Sequence, residues 1–233
     1  MSQRGPDLPE VRRFEAAGFR AWPATSVRYD GTWVIRLTEG HPSKRLNSVS
    51  LLDPGDLNDL EARIERAGRC FASYGRPLIF RISPLAGTAI PAHLDQRGWR
   101  RFGESIVMRL DLASADLDHV IDQIPMKDVA RFVAAAASVR ADEPVRRPGL
   151  ADIVTAIPAE AGLFEIIVRS GWRHRGHGRS IVQAALKWAH LRGASTAWLQ
   201  VEADNEAAVS LYRSLGFTEV YRYHYRSPAE EAA

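Results

Sequence analysis

Apolar residues recur at two different spacings along the chain, and the two spacings alternate. Apolar residues every three or four positions predict amphipathic helices, and short β-branched and aromatic runs predict strands. In the first half these patterns predict helices near residues 8–18, 56–74 and 88–97, and strands near 26–38, 46–52, 77–83 and 100–111. In the second half they predict helices near 117–137, 177–192 and 205–214, and strands near 150–156, 163–169, 195–202 and 217–226. This alternation indicates an α/β fold with a mixed sheet and helices on its faces.

The two halves share a pattern at one constant spacing, which indicates an internal repeat. A short helix, a glycine, an aromatic residue and a strand succeed one another around Gly98-Trp99 and again around Gly216-Phe217. The same spacing superimposes residues 77–83 on 195–201 and residues 11–17 on 129–135. Generic α/β periodicity is the competing explanation. We predict two tandem units, residues 1–112 and 113–233, joined by a short polar linker.

A basic segment with two glycines lies between the strand predicted at 163–169 and the helix that follows it. It consists of Arg173, His174, Arg175, Gly176, His177 and Gly178, and Arg179 comes next. Glycine lets the main chain approach an anion closely, and the first N–H groups of a helix have no intrahelical acceptor. Together with the helix dipole and the arginines, these groups are typical of a pyrophosphate cradle. A solvated basic turn explains the segment equally well when it is taken alone.

A second motif follows the basic segment. Asn205, the pair Leu211-Tyr212 and the pair Gly216-Phe217 occur in order after an apolar run. Together, the two motifs closely resemble those of the GNAT acyl-CoA-dependent N-acetyltransferases. The second motif is especially similar to the ribosomal-protein-alanine N-acetyltransferase branch. The recognisable motifs cover about residues 163–226, and the tandem arrangement also looks like that of mycothiol synthase, another GNAT member.

The resemblance implies an acyl-CoA N-acyltransferase fold and acetyl-CoA as co-substrate. It implies that the backbone of Ile166, Ile167 and Val168 runs beside the pantetheine arm and that residues 173–179 hold the pyrophosphate. Asn205 would contact the cofactor, although it is equally suited to cap the helix that follows it.

The resemblance further implies that Tyr212 is the general acid that protonates the departing thiolate of coenzyme A. A core aromatic on a short helix is its alternative role. The general base is less well defined, because Gln200 occupies the position of a glutamate in the ribosomal branch, and an amide cannot act as a base. Glu202 lies on the same face of its predicted strand as Gln200, and Glu165 or a relayed water are the other candidates.

The first half lacks the features that would hold an anion. Where the second half has its basic segment, the first has residues 55–60, which include Asp56 and Asp59. These carboxylates would repel phosphate. We therefore expect a degenerate N-terminal GNAT-like unit and one active site per chain, in the C-terminal unit.

Composition narrows the classes of function that remain. Hydrophobic residues make up 45% of the chain and charged residues 25%, with a net charge of only +3, so nucleic-acid binding is not indicated. No apolar run approaches the roughly 18 residues of a membrane span, and we expect a cytoplasmic location without membrane contact. His174 and His177 have no third candidate ligand nearby, so we expect no metal.

We therefore expect an N-acetyltransferase that moves an acetyl group from acetyl-CoA to a primary amine, on a small molecule or a peptide N-terminus, by direct attack. The alternative from another class is a non-catalytic acyl-CoA-binding regulatory module, which the presence of Gln200 suggests. A protein that binds ATP through the glycine segment is a third hypothesis, but the Lys-Ser/Thr that ends a Walker loop is missing. The sequence leaves the oligomeric state open, a homodimer included.

Overall fold

A computed structural model describes residues 5–120, 160–164, 166–168 and 170–229. The chain forms two compact units. The first unit comprises Met1–Ile106, Glu202–Asp204 and Val220–Ala233, and the second comprises Val107–Val201 and Asn205–Glu219.

The first unit begins with a helix and continues as a sheet with further helices. Its elements are α1 (Leu8–Ala21), β1 (Ser26–Asp30), β2 (Trp33–Leu37), β3 (Ser48–Leu51), α2 (Leu60–Ala72), β4 (Phe80–Ile82) and α3 (Ala89–Gln96). Two longer strands, β5 (Arg100–Asp111) and β8 (Thr218–Ser227), contribute residues to both units.

The strands of the first unit pair in both directions, which makes the sheet mixed. Strands β1 and β2 are antiparallel, as are β2 and β3, whereas β3 and β4 are parallel. Strand β8 pairs antiparallel with β4. The hairpin between β1 and β2 turns at Gly31, whose φ of 59° suits the tight connection between antiparallel strands.

One face of this sheet carries the apolar core of the first unit. Trp33, Ile35, Val49 and Phe80 lie on that face, fully or almost fully buried. Helices α2 and α3 add further buried apolar residues to the same cluster: Ile64, Ala67, Phe71, Ile90 and Leu94. The aromatic rings meet edge to face, with the Phe80 ring 5.4 Å from Trp33 and 5.5 Å from Trp99 between ring centroids.

The second unit contains β6 (Glu160–Leu163), α4 (His177–His190), all of β7 (Thr196–Glu202) except its last residue, and α5 (Glu206–Ser214). Strands β6 and β7 are parallel, and their ladder joins Glu160 to Thr196 and ends with Leu163 opposite Leu199. Strand β7 continues for three residues beyond the ladder. Parallel pairing with a helix between the strands is the arrangement that the alternating sequence pattern predicts.

The structure confirms most of the predicted elements and corrects three. The strand predicted at 26–38 is two antiparallel strands, β1 and β2, with a turn at Gly31 between them. The strand predicted at 163–169 is wrong in position, because β6 lies at Glu160–Leu163. The carbonyl oxygen of Val168 accepts a hydrogen bond from the side chain of Arg173, 3.2 Å away, and not from a neighbouring strand. Residues 117–120 form a turn instead of the start of a helix, and the rest of the helix predicted at 117–137 and the strand predicted at 150–156 lie outside the described residues.

Helices within the described residues are all too short or too polar to cross a membrane. The same residues contain no group of three or more His, Cys, Asp or Glu side chains arranged to hold a metal ion.

Candidate functional site

The predicted anion segment lies directly before helix α4, and its backbone uses the conformational freedom of glycine. Gly176 is the N-cap residue with a φ of 80°, a left-handed conformation that glycine adopts readily. The first hydrogen bond into the helix runs from the Ser180 N–H to the Gly176 carbonyl oxygen, 3.0 Å. Main-chain N–H groups before Ser180 therefore have no acceptor within the helix. Because residues 170–177 are exposed, the positive end of the α4 dipole is accessible to an anion.

Gly178 is the point at which three of the predicted site segments meet. A Cβ atom at this position would lie 3.4 Å from Cδ2 of Leu211 and 3.7 Å from Cγ2 of Val168. Val168 ends the apolar run that we expected to lie beside the pantetheine arm, and Leu211 immediately precedes Tyr212. The segment before α4, the apolar run and helix α5 are thus packed together in the second unit.

The arginines of the segment are held in different ways. The Nε of Arg173 donates to the carbonyl oxygen of Val168, which ties the start of the segment to the apolar run. Arg179 donates through Nη2 to Oγ of Ser214 at 2.6 Å, and that hydroxyl in turn donates to the Leu211 carbonyl oxygen at 2.7 Å. Arg179 therefore links the first turn of α4 to the last turn of α5.

An aromatic and cationic cluster, which the sequence interpretation missed, flanks the segment. The Trp172 ring is 54% exposed and lies 5.5 Å from the His177 ring between centroids. The guanidinium carbon of Arg175 lies 5.6 Å from the centre of the Trp172 ring, within the range of a cation–π contact. The signal in the sequence was a tryptophan immediately before Arg173. His174, with a φ of 60°, is exposed on the same segment.

The apolar residues Ile166, Ile167 and Val168 are half-buried and belong to no strand. Their main-chain groups are not part of the β6–β7 ladder, which ends at Leu163. Glu165, one of the two candidate bases, lies outside the described residues.

Tyr212 is almost completely buried within helix α5, with 8% of its surface exposed. Its ring meets the Phe217 ring edge to face at 5.8 Å between centroids. Among the described residues, no hydrogen bond involves its hydroxyl. Burial raises the pKa of the Tyr212 hydroxyl above its usual range, because the charged phenolate would lose its water. The hydroxyl therefore keeps its proton at neutral pH, as a proton donor must.

Asn205 caps helix α5, which confirms its predicted helix-capping role. Its Oδ1 accepts a hydrogen bond from the Ala208 N–H at 3.2 Å. The contact with the cofactor stays a prediction.

We expect Asn205→Ala to lower the free energy of unfolding by about 1 kcal/mol, since the helix loses the acceptor for one of its first N–H groups. Asn205→Ser retains an oxygen at the same place and should recover most of that stability. Urea denaturation of both variants measures the difference. Parental stability of the alanine variant would show that the cap contributes nothing.

The remaining candidate base, Glu202, is the last residue of β7 and is exposed. Gln200, two residues earlier, is half-buried. Glu202 belongs to the first compact unit, whereas Gln200 and Tyr212 belong to the second.

In the first unit, residues 55–60 occupy the place of the basic segment, and the carboxylate of Asp56 is bound there by neighbouring residues. Asp56 Oδ2 accepts hydrogen bonds from the main-chain N–H and the hydroxyl of Thr32, at 2.9 and 2.8 Å. Asp56 also forms an ion pair with Arg63 at 2.7 Å. These bonds hold the pKa of Asp56 well below its usual range. A permanently charged carboxylate here agrees with the prediction that residues 55–60 do not hold an anion.

Comparison with known proteins identifies the same family that the sequence motifs resemble. Residues 127–217 match the model of the Acetyltransferase (GNAT) family. The uncharacterized N-acetyltransferase YobR of Bacillus subtilis is 26% identical over 251 aligned positions, which cover 94% of this chain and 99% of that protein. The ribosomal protein bS18-alanine N-acetyltransferase of Escherichia coli K12 is 40% identical over 67 residues, which cover 29% of this chain and 45% of that enzyme.

Solved structures have the same fold. A GCN5-related N-acetyltransferase from Kribbella flavida superimposes with a TM-score of 0.68 at 16% identity, over 95% of this chain and 96% of that chain. A tandem GNAT protein from the clavulanic acid biosynthesis pathway superimposes with a TM-score of 0.57 at 16% identity, over 91% of this chain and 86% of that chain. The predicted fold class, a mixed α/β GNAT fold, is therefore confirmed, while the boundary between residues 112 and 113 stays a prediction. The chain contains, within residues 127–217, an acetyltransferase domain of the GNAT family.

Proposed function

We propose that this enzyme transfers the acetyl group of acetyl-CoA to a primary amine, on a small molecule or a peptide N-terminus, by direct attack of the amine. The observation that carries the proposal is the exposed N-terminus of α4, where Gly176 is left-handed and no capping side chain covers the helix N–H groups. A Cβ at Gly176 would meet no atom within 4 Å, so the main chain borders open space there. An anionic pyrophosphate fits such a place.

Each neighbouring residue has a role in holding the donor. The N–H groups of His177, Gly178 and Arg179 would donate to the pyrophosphate oxygens. Arg173, His174 and Arg175 are exposed and would add charge around it. The main-chain N–H groups of residues 166–168, which lie outside the β6–β7 ladder, would bind the pantetheine arm and the oxyanion that forms when the amine attacks.

Asn205 would contact the donor in addition to capping α5. This second role fits its position, since the residue is exposed at the N-terminus of a helix. The donor supplies the activated acetyl thioester, and the protein supplies orientation and proton transfers.

Two proton transfers complete the reaction. The amine must lose a proton to attack, because a protonated amine has no free lone pair, and Glu202, Glu165 or a water relay would accept it. The departing thiolate must gain a proton, and Tyr212 would donate it. The buried, protonated state of the Tyr212 hydroxyl supports this assignment.

Release of free thiol from acetyl-CoA, followed in the presence of a panel of primary amines and N-terminal peptides, tests the proposal. Release that depends on one class of amine supports the transferase and identifies its acceptor. Tight binding of acetyl-CoA without thiol release for any amine would instead favour a regulatory acyl-CoA-binding module.

A further inference from the structure

Trp172 differs from the other tryptophans of the chain, all six of which the structure describes, because most of its surface is exposed. Its exposed fraction is 54%, whereas the other five are buried or half-buried. An indole left in water forfeits the free energy that its burial would supply. Aromatic side chains at the surface of a binding site recover that free energy when a ligand covers them.

Hydrogen bonds fix the main chain around Trp172. The residue ends a 3₁₀ turn, Ser170–Trp172. The N–H of Arg173 donates to the Ser170 carbonyl oxygen at 3.2 Å, and its Nε donates to the Val168 carbonyl oxygen at 3.2 Å. A ring on a main chain held in this way is oriented before a ligand arrives, which reduces the entropy lost on binding.

The two neighbours of the indole ring leave room for a planar group against it. The His177 ring, 5.5 Å away between centroids, is tilted by 53° and does not stack on the indole. The guanidinium carbon of Arg175 lies 5.6 Å from the ring centre, close to the ~6 Å limit of a cation–π contact. A Cβ atom at Gly171 or at Gly176 would meet no atom within 4 Å, so the main chain on both sides of the ring borders open space.

The exposed ring lies beside the place proposed for the pyrophosphate. His177, whose ring contacts Trp172, is the first residue of α4, and its N–H is among those that would hold the pyrophosphate. In coenzyme A the pyrophosphate joins the pantetheine arm to adenosine. Residues 166–168 are assigned to the pantetheine arm, which leaves the adenosine end without a binding surface. Trp172 supplies one within reach, since a single ribose separates adenine from the pyrophosphate.

We infer that Trp172 stacks against the adenine ring of the acyl-CoA donor and that Arg175 binds the 3′-phosphate of its ribose. This assignment rests on the proposed function, because it places a second part of the same donor. Stacking on an aromatic side chain suits any base, since every base has a π-face.

The position of Arg175 suits the 3′-phosphate. That phosphate is borne by the ribose that carries the adenine, so an adenine on Trp172 brings it near the guanidinium beside the ring. Within the described part of the chain Arg175 is exposed and forms no ion pair, and its charge is available to a phosphate. Both contacts select coenzyme A thioesters over an acyl group carried on phosphopantetheine alone, which has no adenosine.

Calorimetric titration of the full chain with coenzyme A and with 4′-phosphopantetheine tests the adenine contact. Trp172→Ala should weaken coenzyme A binding about tenfold, a loss within the range measured for stacking of one base. Its affinity for phosphopantetheine should stay within about twofold of the parental value, because that fragment lacks adenine. Trp172→Phe keeps a ring and should bind coenzyme A with intermediate affinity. Tyr29→Ala, at an aromatic residue that is 71% exposed on β1, is the matched control and should bind both ligands as the parent does.

Tryptophan fluorescence separates stacking from an indirect effect on the segment. Coenzyme A and adenosine 3′,5′-bisphosphate should quench part of the parental emission through contact with the exposed indole, and that part should be missing in Trp172→Phe.

Arg175→Gln tests the phosphate contact. It should weaken binding of coenzyme A more than binding of 3′-dephospho-coenzyme A, which lacks the phosphate. Arg192→Gln is the matched control, since Arg192 lies over the Trp188 ring beyond the other end of α4, and it should weaken neither.

Failure of this assignment can be told apart from failure of the proposed function. If the parent binds coenzyme A without quenching of Trp172, or if Trp172→Ala binds it equally well, the adenine contact is wrong and the proposed function stands. The same holds if Trp172→Ala weakens coenzyme A and phosphopantetheine by one factor. If Arg175→Gln weakens coenzyme A and its dephospho form equally, the 3′-phosphate contact is wrong. A parent that binds no coenzyme A would overturn the proposed function as well.

Discussion

Gly176→Asp should reduce acetyl-CoA binding at least about 100-fold, because a carboxylate placed against a pyrophosphate costs several kcal/mol. The substitution strains the left-handed backbone at Gly176, but no neighbouring atom obstructs the new side chain. A Cβ at Gly176 meets no neighbouring atom, and aspartate is enriched among the side chains that adopt left-handed φ values. Aspartate is also a preferred N-cap residue, so helix α4 should remain formed. Calorimetric titration with acetyl-CoA measures the loss.

Gly193→Asp is the matched control for this substitution. Gly193 follows the other end of α4, has a φ of 85° and also borders open space. It therefore receives the same charge and a similar backbone strain, away from the proposed pyrophosphate. Its dissociation constant for acetyl-CoA should stay within about twofold of the parental value, although a negative charge near the helix C-terminus costs about 0.3–1 kcal/mol of stability. If both variants bind acetyl-CoA as tightly as the parent, the segment before α4 is not the pyrophosphate site.

The local parts of the fold could be predicted from the sequence because they depend on neighbours along the chain. The strand predicted at 100–111 is β5, Arg100–Asp111, and the helix predicted from 177 begins at His177. Left-handed glycines at Gly176 and Gly216 mark the boundaries of α4 and α5. Periodicity and glycine positions are local signals, and these elements follow from them.

The predictions failed for residues whose contacts are with distant parts of the chain. The apolar residues 166–168 have the composition of a strand, but the β6–β7 ladder ends before them. Apolar composition alone does not distinguish a residue of the ladder from one such as Val168, whose side chain lies beside Gly178. The hydrogen bond from Arg179 to Ser214 was not predicted either, because it joins two helices whose residues are far apart in the sequence.

The buried polar face formed by Ser48, Ser50 and Arg81 was not predicted, because it arises from strand register. Ser48, Ser50 and Arg81 come from short strands whose residues are buried on both sides. Such strands lack the alternation of apolar and polar residues that tells a buried face from an exposed one. Only the pairing of β2, β3, β4 and β8 brings these polar residues to one face.

Tyr212→Phe should lower kcat about 10²- to 10⁴-fold, the contribution typical of a general acid. The variant keeps the ring, and therefore its edge-to-face contact with Phe217. Because no hydrogen bond among the described residues uses the hydroxyl, its removal leaves no partner unsatisfied, and acetyl-CoA affinity should be unchanged. Tyr29→Phe, at a tyrosine that is 71% exposed on β1, is the control and should react as the parent does.

The pH dependence follows from the direction of the pKa shift. Burial raises the pKa of the Tyr212 hydroxyl, so the acid stays protonated through the neutral range and beyond its usual pKa. An amine acceptor becomes reactive as it loses its proton, which happens near pH 10 for an alkyl amine and near pH 8 for a peptide N-terminus. The rate of the parent enzyme should therefore rise with pH while the amine deprotonates, and Tyr212 should not cause a decline below its raised pKa. Tyr212→Phe should follow the same rise at a lower rate, and normal turnover at every pH would refute the acid assignment.

The kinetic constants separate proton donation from a structural role of the ring. A hydroxyl that acts only as the thiolate departs stabilises the transition state and not the bound substrates. Its loss should therefore lower kcat and kcat/KM by the same factor and leave KM unchanged. If Tyr212 only supported the packing between α5 and Gly178, the expected result would be a raised KM for acetyl-CoA with kcat preserved, because the segment that holds the donor would be displaced while the chemical step stayed intact.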